Sequence, residues 1–236
     1  MSVAKSSWFT RSTLLLGFAF LYLPMFILII YSFNENRLVT VWSGFSVKWY
    51  VELFRDKQMI DAAKVSLEIA FLTACASVVL GTMAAMVMTR FRQFPGKSLF
   101  SALMTAPLVM PEVITGLSIL LLFVAMGEHV GLFQERGVMT IWIAHVTFCV
   151  AFVTVVISSR LSELDRSLEE AAMDLGANRV KVFFLITLPI IAPALASGWL
   201  LAFTLSLDDL VISSFVSGPS STTLPMKVFS SVRMGV

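Results

Sequence analysis

Five long apolar stretches constrain this chain more than any other feature of its sequence. Crossing the hydrocarbon core of a bilayer as an α-helix takes about 20 mainly apolar residues. Hydrophobic residues make up 58% of the chain and charged residues 14%, whereas soluble domains are about 45–50% apolar and about 25% charged. We therefore predict an all-α, polytopic membrane helix bundle. The five predicted spans are residues 12–33, 62–89, 102–126, 138–158 and 190–216.

Basic residues in short loops indicate the orientation, because they mark the cytoplasmic side of a membrane. The N-terminal segment carries Lys5 and Arg11 and no acid. Its apolar run is longer than that of a signal peptide and precedes no small-residue cleavage site, so we interpret it as a retained helix. The loop after the second span carries Arg90, Arg92 and Lys97 without an acid. The expected cytoplasmic segments are the N-terminus, 90–101 and 159–189, and the expected outer segments are 34–61 and 127–137.

A polar tail, residues 217–236, follows the fifth predicted span. Five spans would leave this tail outside without an anchor. We therefore expect a sixth apolar helix beyond Val236, which would return the chain to the cytoplasm. A gene product that stops at residue 236 would contradict this expectation.

The 160–189 segment is the most specific feature of the sequence. Ser167 and Glu170 have the spacing of a capping box, in which each side chain satisfies the other residue's backbone N–H. A short helix over 168–175 should follow them. Gly176 then lies where a left-handed C-cap is expected.

A second helix should follow the first within the same segment. Asn178 can cap it, and Pro189 marks its expected end, so the pattern predicts a helix–turn–helix at the membrane surface. The first helix carries small and apolar residues at spacings of three and four. This face would either fit a groove on another protein or pack under its own bundle. Its members are Leu168, Ala171, Ala172 and Leu175.

The same loop resembles the permease signature of binding-protein-dependent ABC importers. That signature is E-A-A, three residues, G, nine residues and then I-x-L-P, and every fixed position occurs in this chain. The matching residues are Glu170, Ala171, Ala172, Gly176, Ile186, Leu188 and Pro189. The resemblance implies that 160–189 is the cytoplasmic coupling loop of a single transmembrane domain, 1–236, whose core is 62–236. In this family the loop docks into a cleft on a separate ATP-hydrolysing subunit.

Two further stretches, 106–123 and 203–233, resemble the polyamine branch of the family, the putrescine and spermidine permeases. The resemblance implies a multi-pass protein of the cell inner membrane with a cytoplasmic N-terminus. The implied partners are a pair of ATPase subunits holding ATP and Mg, a second, homologous permease chain, a periplasmic polyamine-binding protein and membrane lipid. The chain itself is expected to carry no cofactor and no catalytic residue, since no G-x-x-x-x-G-K-[ST] motif occurs in it. A net charge of +2 gives no indication of nucleic-acid binding.

Two adjacent aspartates interrupt the fifth span, where an ionised carboxylate costs about 2.5–3.5 kcal/mol at a helix centre. On a continuous helix Asp209 shares a face with two serines, whereas Asp208 points about 100° away. Glu112 is a third acid at membrane depth, in the third span, where Pro107 and Pro111 are expected to distort the helix locally. Carboxylates could bind the ammonium ends of a polyamine, or they could bond to neighbouring helices or cap a broken one. The predicted pathway residues are Asp209, which ranks first, and Asp208, Glu112, Ser206 and Ser213.

Three other polar residues in the spans receive structural interpretations. His145 in the fourth span has no second metal-type residue at a suitable spacing, so we predict an interhelical hydrogen bond for it. Cys75 and Cys149 lie in apolar runs and are predicted to be small buried hydrophobes.

Two other function classes remain open at the level of sequence. An intramembrane aspartyl protease would need two acids that converge from different helices, and adjacent aspartates on one helix diverge. Glu112 would then have to be the partner of one of them. A secondary transporter would need no ATPase, but it leaves the coupling motif unexplained.

Overall fold

The computed structural model describes residues 8–36, 41–91 and 93–234. Lys5 and Arg92, which contributed to the predicted orientation, lie outside these ranges. The described chain is helical, without a regular strand, as predicted. Its helices are α1 (Trp8–Tyr31), α2 (Lys48–Arg55), α3 (Lys57–Arg90), α4 (Lys97–Val109), α5 (Glu112–Val130), α6 (Val138–Glu163), α7 (Ser167–Asp174), α8 (Arg179–Val182), α9 (Leu188–Leu207), α10 (Val211–Val216) and α11 (Leu224–Met234).

Five helices are long and apolar enough to cross a membrane, which confirms the predicted polytopic bundle. They are α1, α3, α5, α6 and a continuous helix over Arg179–Leu207. The chain forms two compact units, 1–60 and 61–236. The interpretation of 1–236 as a single transmembrane domain stays a prediction.

The first unit contains α1, a compact turn and the short helix α2. α1 has no buried residue within the chain, and a helix that is apolar on all sides is typical of a membrane span. The turn is organised by Asn34, which is 1% exposed. Its side chain donates to the carbonyl of Val41 (2.7 Å) and accepts from the N–H of Ser43 (2.9 Å).

The core of the second unit surrounds α6, whose buried side chains include Ile141, Ile157 and Leu161. Small residues allow neighbouring helices to approach α6 closely. A Cβ atom on Gly81 of α3 would lie 2.8 Å from Val153 Cγ1, and one on Gly198 of α9 would lie 3.3 Å from it. The three helices therefore meet at Val153.

The two cysteines differ in burial. Cys149 is fully buried on α6, as predicted, and its thiol donates weakly to the carbonyl of Ala202 (3.7 Å). Cys75 is only half-buried, and its sulfur accepts from Trp199 Nε1 (3.4 Å). The prediction of a buried hydrophobe is therefore wrong in degree for Cys75, whose sulfur bonds to an indole N–H and stays partly accessible.

Replacing Gly81 with alanine should destabilise the second unit by about 1–3 kcal/mol, because the added methyl overlaps Val153. Thermal unfolding in detergent measures this effect. A Gly17→Ala variant is the matched control, since nothing lies within 4 Å of its added Cβ. Equal melting temperatures for the two variants would contradict the close contact between α3 and α6.

The predicted third span, 102–126, is wrong as one continuous helix. α4 ends at Val109 and α5 begins at Glu112, with Met110 and Pro111 extended at ψ 138° and 136°. Proline has no N–H to donate and disfavours a helical residue before it. Of the two prolines expected to distort this region, Pro107 stays within α4 and Pro111 breaks the helix.

The predicted fifth span, 190–216, is wrong at both ends. The helix begins at Arg179 and passes through a π-helical turn, Phe183–Thr187, directly into α9. The second helix of the predicted surface helix–turn–helix is therefore the start of the span itself. A π turn accommodates the missing N–H of Pro189 without ending the helix. At the far end α9 stops at Leu207, and the chain becomes helical again only in α10.

Candidate functional site

Asp209 lies in the break between α9 and α10 and caps the second of these helices. Its Oδ1 accepts from the N–H of Ile212 (3.2 Å), and its Oδ2 accepts from the N–H of Ser213 (2.7 Å). Aspartate is a favoured residue for this task because its short side chain satisfies N–H groups that a helix start leaves without partners. The structural role that the sequence left open, capping a broken helix, is therefore the one observed for Asp209.

His145 of α6 contacts both sides of the same break. Its Nδ1 lies 2.7 Å from Ser206 Oγ, and its Nε2 lies 3.1 Å from Asp209 Oδ2 and 3.0 Å from Ser213 Oγ. The imidazole is 2% exposed and the Asp209 side chain 7%. A neutral imidazole with its proton on Nε2 satisfies these contacts, because Nε2 donates while Nδ1 accepts from the Ser206 hydroxyl. The predicted interhelical hydrogen bond of His145 is confirmed.

The predicted grouping of Ser206, Asp209 and Ser213 is observed, but for a different reason. These residues do not share the face of one straight helix, because α9 ends at Leu207. They converge because all three bond to the same imidazole. Sequence reasoning missed His145 as the centre of the group, since residue spacing carries no information about a partner on another helix.

Asp208 is the carboxylate of this region that is open to a ligand. It is exposed, and within the described chain its side chain has no hydrogen bond or ion pair. Its N–H donates to the carbonyl of Thr204 (3.2 Å), which places it at the C-terminal end of α9. That end of a helix carries partial negative charge on carbonyls without intrahelical partners. A cation can therefore reach Asp208 more readily than Asp209.

Glu112 is exposed in the first turn of α5, directly after the break at Pro111. α5 packs against α10, where a Cβ atom on Gly116 would lie 2.8 Å from Phe215 Cδ2 and 3.3 Å from Ile212 Cα. Glu112 precedes this contact by one helical turn in sequence, and Asp208 precedes Ile212 by the same interval. Both exposed acids thus belong to helix breaks that flank one helix–helix contact.

The 160–189 loop has the turn that its sequence predicts. Gly176 adopts φ +88°, and the N–H of Ala177 donates to the carbonyl of Ala172 (3.1 Å), which closes the end of α7. Asn178 Oδ1 accepts from the N–H of Lys181 (2.8 Å). The left-handed C-cap and the Asn178 cap are both confirmed.

The predicted capping box of Ser167 and Glu170 is wrong. α7 begins at Ser167 itself, so this residue is one position too late to cap it. Asp165 replaces it, since its Oδ1 accepts from the N–H of Ser167 (3.0 Å). This backbone hydrogen bond holds the pKa of the exposed Asp165 carboxyl below its usual value. Glu170 is exposed, and its side chain has no bonded partner in the described chain.

The apolar face of α7 does not pack under the bundle of this chain. Leu175 is 90% exposed and Leu168 is 48% exposed. Ala171 is exposed and Ala172 half-buried, whereas Ile186 and Leu188 follow in the half-buried π turn and the start of α9. Between the two interpretations of this face, the geometry favours contact with another protein.

Glu169, which the sequence analysis did not single out, ties α7 to two transmembrane helices. Its Oε1 accepts from Arg90 Nη2 at the end of α3 (2.6 Å) and from the Thr187 hydroxyl in the π turn (2.8 Å). Both partners of the ion pair are largely shielded, with Arg90 16% and Glu169 17% exposed. Arg166 Nη2 adds a bond to the carbonyl of Thr89 (2.7 Å). We call these four side chains and the Thr89 carbonyl the α7 clasp.

Glu169→Gln should loosen the clasp, because it removes the charge of the ion pair but keeps an acceptor oxygen. A shielded, charge-assisted bond contributes about 1.5–3 kcal/mol, so we expect a lower melting temperature in detergent. Glu170→Gln is the matched control, since the neighbouring glutamate is exposed and unbonded. Equal melting temperatures for the two variants would show that the clasp contributes nothing to stability.

Comparisons with known proteins place these features in a family. Residues 77–231 match the family described as binding-protein-dependent transport system inner membrane component. The chain is 64% identical over 236 residues to the putrescine transport system permease protein PotI of Escherichia coli (strain K12), covering 100% of this chain and 84% of that protein. It is 42% identical over 232 residues to the spermidine/putrescine transport system permease protein PotC of Haemophilus influenzae, covering 98% and 88%.

A solved structure shares the fold. A bacterial ABC transporter involved in the import of the acidic polysaccharide alginate matches with a TM-score of 0.72 at 16% identity, covering 96% of this chain and 81% of that one. Neither an intramembrane protease nor a secondary transporter finds support in these matches. The multi-pass helical structure, the spacing of the loop motif and the sequence matches lead to one conclusion: the chain belongs to the family of inner membrane components of binding-protein-dependent transport systems.

Proposed function

We propose that this chain is a permease subunit of an ATP-driven importer of polyamines, with putrescine as the first candidate substrate. The observation that carries the proposal is the identity of 64% over the whole chain with a putrescine transport system permease. The more distant relative at 42% is named for spermidine as well as putrescine, so spermidine is the second candidate.

The chemistry of the helix breaks supports a cationic substrate. Asp208 and Glu112 are exposed carboxylates at the ends of two helices that are long and apolar enough to cross a membrane, and Asp208 lies at the negative end of α9. Half-helix ends and freed carbonyls are a recurrent way of coordinating cations inside transporters. A polyamine carries ammonium groups separated by methylenes, so two separated acids suit it better than one.

The exposed face of α7 supports docking to a cytoplasmic ATPase. The partner would bind ATP and Mg, because this sequence has no nucleotide-binding motif of the P-loop type. When α7 moves on docking, the α7 clasp would transmit this movement to α3 through Arg90 and to α9 through Thr187. The remaining parts of the proposed importer are a second, homologous permease chain and a periplasmic polyamine-binding protein. The basic loops support an inner-membrane orientation with the N-terminus in the cytoplasm.

Co-purification from a gentle detergent extract, followed by uptake assays in proteoliposomes, tests the proposal. We expect an ATPase and a second permease chain to co-purify. Uptake of radiolabelled putrescine should require internal ATP and the binding protein. Recovery of the chain alone, or uptake driven by an ion gradient without ATP, would overturn the assignment. Uptake of a neutral substrate in preference to both polyamines would overturn the substrate class.

A further inference from the structure

We propose that His145 is a positioning residue, which holds the break between α9 and α10 in the shape that presents Asp208 to the transported cation. This inference rests on the proposed function, because it assigns His145 a part in polyamine transport. It differs from the interpretation of His145 as a simple interhelical hydrogen bond, since it predicts an effect that passes through Asp208.

The contacts of the imidazole support this role because they join the two sides of the break. Ser206 precedes the break and bonds to Nδ1, whereas Asp209 and Ser213 follow it and bond to Nε2. The two nitrogens are held at a fixed separation and direction by a rigid ring. One side chain of α6 therefore fixes the spacing between the end of α9 and the start of α10.

The same contacts determine which aspartate stays free. Asp209 is turned into the bundle by His145 and by the N–H groups of α10. Asp208 lies next to it in sequence, has φ −96° and ψ 0°, and is exposed. Because its neighbour is held in the bundle and adjacent side chains diverge, Asp208 is directed away from the core. If the imidazole were lost, a nearly buried carboxylate would lose its imidazole donor, and the break would rearrange to hydrate or re-pair it.

Two polar variants separate positioning from polarity alone. His145→Gln extends an amide toward the position of Nε2 and can still donate to Asp209. His145→Asn reaches only the position of Nδ1, so it keeps a partner in Ser206 and loses Asp209. Both insert a polar side chain of helix-compatible size, so both should assemble. His129→Leu is the control, because this histidine is exposed at the end of α5 and, among the described residues, bonds only to the carbonyl of Ala125 (2.9 Å).

The experiment is initial uptake of radiolabelled putrescine by the complete complex in proteoliposomes, normalised to assembled complex. We expect His145→Asn to transport about tenfold more slowly, while His145→Gln stays within about threefold and His129→Leu stays at the parental rate. The double variant His145→Asn/Asp208→Asn should transport no more slowly than Asp208→Asn alone, because residues that act as a unit are not additive.

The outcomes separate this inference from the proposed function. If Asp208→Asn is impaired but His145→Asn transports at the parental rate, or if the two effects multiply, the positioning role is overturned and the polyamine pathway stands. If Asp208→Asn transports at the parental rate, Asp208 is not part of the cation pathway, and the positioning role of His145 is overturned as well. Equal losses of uptake and assembly in His145→Asn and His145→Gln would reduce His145 to a structural residue and overturn the inference.

Discussion

Replacing Asp208 with asparagine should lower ATP-driven putrescine uptake about tenfold to a hundredfold while the permease still assembles. Asparagine keeps the volume of the side chain and removes its charge. The exposed carboxylate has no hydrogen-bond or ion-pair partner among the residues that the structure describes, so its loss leaves their packing unchanged. A hydrogen bond to a charged group contributes about 1.5–3 kcal/mol, and about 1.4 kcal/mol corresponds to a factor of ten. Radiolabelled uptake, normalised to assembled complex, gives the measurement.

Asp209→Asn is the matched comparison and should behave differently. Asparagine cannot maintain every contact of this carboxylate, which accepts from two backbone N–H groups and from His145. We therefore expect a lower melting temperature and a lower yield of assembled complex. Parental uptake in Asp208→Asn would contradict the cation role of that residue. Lost uptake with unchanged stability in Asp209→Asn would restore Asp209 to first place among the pathway residues.

Replacing Gly176 with valine should reduce substrate-stimulated ATP hydrolysis by the assembled importer about tenfold. Gly176 adopts φ +88°, and a left-handed conformation costs roughly 1–2 kcal/mol for an ordinary L-residue and is a clear outlier for a β-branched one. Nothing lies within 4 Å of an added Cβ, so the effect comes from the backbone. The strain should change the turn that directs the apolar face of α7 toward the ATPase.

Gly96→Val is the control for this experiment. Gly96 has a similar φ of +83°, and nothing lies within 4 Å of its added Cβ, but it precedes α4 and is not part of the coupling loop. This variant should hydrolyse ATP at the parental rate. Gly176→Asn should lie between valine and the parent, because asparagine tolerates the left-handed region. Equal effects of Gly176→Val and Gly96→Val would assign the loss to general strain and not to coupling.

Local signals in the sequence predicted local structure well. Apolar runs of the right length identified all five spanning helices, because the requirement for about 20 apolar residues acts within each segment. The caps at Gly176 and Asn178 were predicted for the same reason, since each involves backbone groups within four positions of the capping residue. The break at Pro111 had an explicit signal in the proline, although its effect on the span was underestimated.

The parts of the site that sequence analysis missed depend on contacts between distant segments. Arg90 and Glu169 are 79 positions apart, and His145 and Asp209 are 64 apart. The break after Leu207 contains no proline or glycine from which it could be predicted. The available signal was the aspartate pair itself, because aspartate competes for backbone N–H groups and favours a helix start over a helix interior.

The π turn joins the coupling loop to the aspartate break by one uninterrupted helix, Arg179–Leu207, of 29 residues. At 1.5 Å per residue this helix is about 43 Å long. In the proposed importer this helix would act as a lever, with the Asn178 cap at one end and Asp208 at the other. A rocking of about 10° around its midpoint moves each end by roughly 4 Å on this length. Movement imposed on the end at Asn178 would then displace the end at Asp208, and no helix would have to melt or re-form.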